Sequence, residues 1–85
     1  MMREIMIDVR ELPSPEPMEK VIARLGEVNR QTYIKMVHRM EPMLLFPILD
    51  KNGFDYIKRP SAEGVSVYIF LKNVPEMRSY VGELT

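Results

Sequence analysis

Few side chains in this sequence have chemistry to offer. They are Arg10, Ser14, His38 and Arg39, with the carboxylates Asp8, Glu16 and Glu41 close by in the chain. Guanidinium, hydroxyl and imidazole groups together suit a small anion, which they would hold by charge-assisted hydrogen bonds. Nucleophilic catalysis demands more, because a serine hydroxyl needs an adjacent general base and a group that orients it. His38 is the only histidine, so an enzymatic reading rests on it alone. His38, Met40 and Met43, with Met18 or Met36, also offer the imidazole and thioether ligands that suit Cu(I). Packing is the better account of the eight methionines, since the flexible thioether fills irregular gaps in a core and Met6, Met18 and Met36 fall on strand or helix faces. There is no cysteine, which excludes thiolate nucleophiles, persulfides, thiolate metal sites and disulfides. No cofactor and no resident metal are expected.

These groups must be positioned by a small domain. Eighty-five residues make one domain at most, and a chain of this length buries only roughly 60–65% of its unfolded surface. Association with a second copy or a partner would add to a thin stability margin. Twelve basic and twelve acidic residues cancel, so no net charge draws the protein toward nucleic acid or an anionic membrane. No apolar stretch approaches the ~18–20 residues needed to cross a bilayer. The N-terminal apolar run is broken by charge well before signal-peptide length, so a cytosolic location is expected.

Residues 4–10 alternate Ile5, Ile7 and Val9 with Met6, Asp8 and Arg10, the pattern of a half-buried strand. The Pro-rich run of residues 12–17 ends it. A helix to about Leu25 follows, with Met18, Val21, Ile22 and Leu25 at helical spacing. Ser14 is read as its N-cap with Pro15 at the first helical position, although Pro17 can delay the start to itself. Gly26 is read as a left-handed C-cap. A second strand spans Thr32 to His38, with Ile34 and Met36 on one face and Tyr33, Lys35 and Val37 on the other. Glu41-Pro42 opens a second helix, regular from about Phe46 and closed by Gly53. Residues 54–59 and 65–72 read as a hairpin across a loop at 60–64. Residues 73–85 are set apart as a tail with at most a short helical turn, leaving a domain at 1–72.

The order β-α-β-α-β-β implies an α/β (α+β) two-layer sandwich, with two helices on one face of a four-stranded mixed sheet. Strands one and two should be parallel, joined by a right-handed crossover through the first helix. Their C-terminal ends then share a rim, the usual ligand edge of an open α/β sheet. This rim would gather Asp8, Arg10, Ser14, Pro15, Glu16, Pro17, His38, Arg39 and Glu41. The opposite sheet face would show Met6, Asp8, Arg10, Tyr33, Lys35, Val37, Tyr56, Lys58, Tyr68 and Phe70. That mixture is too apolar to stand wholly in water. A second copy, a protein partner or the tail through Tyr80 and Val81 is expected to cover it. RNA is disfavoured by the zero net charge.

Residues 7–18, Ile-Asp-Val-Arg-Glu-Leu-Pro-Ser-Pro-Glu-Pro-Met, resemble the signature of the TusA/SirA-like sulfur carriers. That signature reads Leu-Asp-x-Arg-Gly-Leu-x-Cys-Pro-x-Pro. Asp8, Arg10, Leu12, Pro15 and Pro17 match it, while Ser14 stands at the Cys position and Glu11 at the Gly. The sequence is more similar to the TusA-related proteins grouped as domain-of-unknown-function family 2249. Those also lack the Cys, and they carry an acidic-Pro pair leading into an apolar helix that ends near Gly-Phe. Glu41-Pro42, Leu44, Leu45 and residues 53–56 fit that pattern, although many relatives have a His where Met40 stands here. The likeness runs from roughly residue 5 to residue 72. It implies a sulfur-carrier scaffold, whereas a serine hydroxyl cannot carry sulfane sulfur.

Three readings follow. The first is a non-enzymatic binding or interaction module, with a protein partner or self-association expected. The second is a sensor of a small anion or metal, using Arg10, Ser14 and His38. The third is an enzyme working through His38.

Overall fold

In a computed structural model covering all 85 residues, the chain forms one four-stranded sheet and three α-helices. Strand β1 is Arg3–Asp8, helix α1 is Glu16–Arg24, strand β2 is Thr32–His38 and helix α2 is Leu45–Lys51. Strands β3 (Phe54–Ser61) and β4 (Gly64–Leu71) precede a last helix, α3, at Pro75–Leu84. The sheet order is β1-β2-β4-β3. β1 runs parallel to β2 with Ile5 beside Ile34 and Ile7 beside Met36, and the other pairings are antiparallel. The mixed four-stranded sheet with α1 and α2 on one face therefore matches the α+β pattern of the sequence.

Alternation sets the faces. Ile5, Ile7 and Val9, Ile34 and Met36, and Val65, Val67 and Ile69 project to one side, where Val21 and Leu25 and α2's Leu45, Phe46 and Leu49 seal them. Pro17 takes the second position of α1, where no amide hydrogen is needed, and is itself buried. Ile22, expected on the packed stripe, is exposed, because the helix turns Pro17, Val21 and Leu25 inward instead. Gly26 is not a left-handed cap. The helix tightens into a 3₁₀ turn at Leu25–Glu27, bringing Leu25 and Val28 to the core, and only Gly53 and Gly64 have positive φ. Gly53, with φ 83°, does close α2.

The hairpin is tighter than expected. Pro60 and Ser61 extend β3, and only Ala62 and Glu63 form the turn. Proline is tolerated there because β3 is an edge strand.

Residues 73–85 are not a loose tail. Pro75 starts α3, where its missing amide hydrogen costs nothing, and the helix lies on the second sheet face. Val74, Met77 and Val81 pack there on Tyr33, Tyr68 and Phe70. The Tyr33 hydroxyl donates to Glu4 Oε1 at 2.8 Å, and its ring stands 6.0 Å from that of Tyr80. Arg78 pairs with Asp55 and lies 5.5 Å over Phe70, while Arg30 pairs with Glu76 at 3.2 Å. Met77 is fully buried, so Met77→Ala is expected to lower stability by about 2–5 kcal/mol in chemical unfolding. A loss below about 1 kcal/mol would show that α3 is not packed on the sheet.

Candidate functional site

The parallel pairing of β1 and β2 places the β1–α1 and β2–α2 connections side by side. Between them lies a groove of about 310 Å³. One wall is Leu12, Pro13, Ser14 and Pro15, continued by Pro17 and Met18 of α1. The facing wall is residues 38–45, and it includes His38, Arg39 and Glu41. Pro13 and Pro15 in the first connection and Pro42 in the second, each with a fixed φ and no amide donor, help keep the chain free of helix until Glu16 and Leu45. Met40, Met43 and Leu44 stand at the rim with most of their surface in water, and Leu44 is 75% exposed.

The rim expected from sequence is only partly assembled. Ser14, Pro15, Pro17, His38, Arg39 and Glu41 do line the groove, and Asp8, Arg10 and Glu16 do not. Arg10 is fully engaged elsewhere. Its Nε and Nη2 donate to Asp8 at 3.0 and 2.8 Å, and its Nη1 donates to Glu63 at 2.9 Å. The hydrogen bonds from Arg10 hold the Asp8 carboxyl below its usual range. Arg10 is therefore a strut between the end of β1 and the β3–β4 turn, not an anion ligand. Glu16 faces a separate shallow depression with Glu19 and Lys20.

Ser14 caps nothing. The residue preceding α1 is Pro15, and no side chain accepts from the first turn, because the helix starts one residue too late for the Ser14 hydroxyl to reach it. His38 is half-buried, and its Nδ1 accepts the Arg39 amide hydrogen at 2.8 Å, which places the proton of the neutral ring on Nε2. Burial lowers the His38 pKa from its ordinary 6.5, and the Arg39 charge lowers it further. Glu41 is held by Lys58, whose pKa that contact raises, and the Lys58 ammonium lies 5.5 Å over the Phe46 ring. Arg39 is exposed and has no ion-pair partner.

Met18, Met40 and Met43 share the groove with His38, as a soft-metal reading requires, but Met36 is fully buried in the core. No cluster of three or more His, Cys, Asp or Glu with metal-binding geometry is present.

The expected open sheet face is largely closed. Tyr33, Tyr68 and Phe70 are buried beneath α3, leaving Lys35 half-buried with its ammonium 5.7 Å from the Tyr68 ring centre. Tyr56 is on the other face altogether, stacked 4.3 Å from Phe46. Its pairing with Ile69 puts it and Lys58 on the side of α1 and α2, a register that alternation within one strand does not fix.

A family model described as an uncharacterized conserved protein, DUF2249, matches residues 6–69. The chain belongs to this family. No curated protein and no solved structure gives a significant match. The DUF2249 match spans both walls of the groove and ends before α3.

Gly64 is a residue that sequence reasoning left in a loop. A Cβ there would meet the His38 carbonyl oxygen at 2.2 Å and Arg39 Cα at 2.8 Å, and its φ of 147° is poorly open to other residues. The hairpin thus presses on the backbone that carries His38 and Arg39. The Glu63-Gly64 pair at a tight turn was the available signal. Gly64→Ala is expected to destabilise by at least about 1–3 kcal/mol and to shift the His38 and Arg39 amide resonances. Unchanged resonances there would separate the hairpin from the groove.

The lowered His38 pKa has a direction in stability. The unfolded chain takes up the proton first, so stability falls as pH drops through 6.5 toward the lower folded value. Between about pH 7.5 and about pH 5.5, His38→Gln should flatten this part of the slope in thermal denaturation. An unaltered slope would remove His38 as its source.

Proposed function

We propose that this DUF2249 chain is a non-enzymatic binding module whose binding element is the groove between the β1–α1 and β2–α2 connections. The proposed setting is the cytosol, on a scaffold related to the TusA/SirA-like carriers but with no sulfur-carrying group. One observation carries the reading: a preformed cleft of about 310 Å³ at the C-terminal ends of two parallel strands, rimmed by exposed Met40, Met43 and Leu44. Small-molecule sites start near this size, and open α/β sheets bind ligands at this edge. Solvated thioethers and a leucine around a cleft favour occupancy by an apolar group.

The residues at hand do not favour catalysis. A general base at His38 would need a carboxylate or carbonyl to orient it, whereas its Nδ1 faces a backbone donor. Metal capture through His38 meets the same obstacle, because the protonated nitrogen is the one left available and Arg39 repels a cation. The covered aromatic face gives little support to RNA binding or self-association there.

Titration with 1-hexanol, followed in a methyl-¹³C-methionine spectrum, tests the reading. Saturable shifts are expected at Met18, Met40 and Met43, with none at the fully buried Met36 and Met77. Small linear drifts of all eight methyls would overturn it.

A further inference from the structure

The groove is apolar along its walls but unequal in its polar groups. Donors are unpaired and acceptors are taken. Ser14 makes no cap, His38 presents a protonated Nε2, and the Arg39 guanidinium has no carboxylate partner. The one carboxylate among the lining residues, Glu41, is tied to Lys58. Asp8 and Glu63, the carboxylates that would otherwise lie nearest on β1 and the hairpin turn, are both held by Arg10. The first turn of α1 carries Glu16 and Glu19, which offset its dipole, so the donors toward the cleft are the side chains of Ser14, His38 and Arg39.

Resting on the binding-module reading, we propose that the groove takes a small organic anion, a carboxylate on a short apolar chain. Arg39, the His38 Nε2–H and Ser14 receive the carboxylate, and Met18, Met40 and Met43 line the part that takes the chain. Charge complementarity selects this class. An uncharged ligand offers the guanidinium and the imidazole donor only neutral acceptors, which make weaker hydrogen bonds than a carboxylate, and a cation would meet Arg39 with no unpaired carboxylate among the lining residues to offset it. The arrangement also gives the Arg10 strut a consequence: by holding Asp8 and Glu63, it keeps two negative charges from competing for Arg39.

Binding of hexanoate, 1-hexanol and hexylammonium to the full chain at low salt tests the proposal, read by the same methionine methyls. Hexanoate is expected to bind at least tenfold more tightly than 1-hexanol, and hexylammonium more weakly than either. Arg39→Gln should abolish the hexanoate advantage, so that hexanoate binds no more tightly than 1-hexanol. Arg39 is exposed and unpaired, so this variant should fold, and Ser14→Ala, which removes no cap, provides a second with a smaller loss. Equal affinity for hexanoate and 1-hexanol would overturn the anion proposal while the groove stands. Binding of none of the three would overturn both. An advantage for hexanoate that survives Arg39→Gln would overturn the placement of the head group.

Discussion

The parallel pairing of β1 with β2 is the constraint on which the rest of the molecule depends. Its register sets Ile5 against Ile34 and Ile7 against Met36, and this aliphatic ladder is sealed by α1 and α2. A slip of either strand by one residue would turn its buried side chains to the other face, so the burial itself fixes the register. With the register fixed, the two strands end at the same edge, and the connections that follow them must face each other. The groove is a consequence of core packing rather than a separate feature.

Electrostatics then divides the rim in two. On one side, Arg10 binds the carboxylates of Asp8 and Glu63 and ties β1 to the hairpin turn. On the other, Lys58, whose ammonium lies over the Phe46 ring, pairs with Glu41, so all three acids are paired with cations that lie off the groove. Arg39 is left with its charge unspent. The hairpin holds this end of β2 in place, since only a glycine at position 64 lets the backbone approach the His38 carbonyl so closely. Exposed ion pairs of this kind add little to stability. Their effect here is on which charges the groove presents.

The second sheet face shows how a domain of this size finds enough core. Tyr33, Tyr68 and Phe70 would expose a large apolar surface if α3 were absent, and Val74, Met77 and Val81 close it. A cluster of aromatic rings beside Lys35 that reads as a binding face in the sequence is, in the folded chain, the second half of the core. The hydroxyl of Tyr33 remains satisfied by Glu4, so burying the ring leaves no polar atom stranded.

Local sequence pattern determined the order of the first six elements, β-α-β-α-β-β, the β2 boundaries at Thr32 and His38, the glycine stop at Gly53 and the sheet face covered by α1 and α2. Each rests on local φ/ψ preference or on burial of one face, and both are written in consecutive residues. The prolines at 13, 15 and 17 and the Glu41-Pro42 pair likewise mark the two walls of the groove. Only the tertiary structure decided which charges remain free. Arg10 and Arg39 look alike in the sequence, and a contact across 53 residues to Glu63 makes one a strut and leaves the other unpaired. The same holds for Tyr56, whose face follows from its pairing with Ile69, and for Ser14, which misses the helix start by a single residue. Residues 73–85 lacked a strong local signal because α3 is stabilised chiefly by the aromatic face it covers, and that face exists only once the sheet has formed.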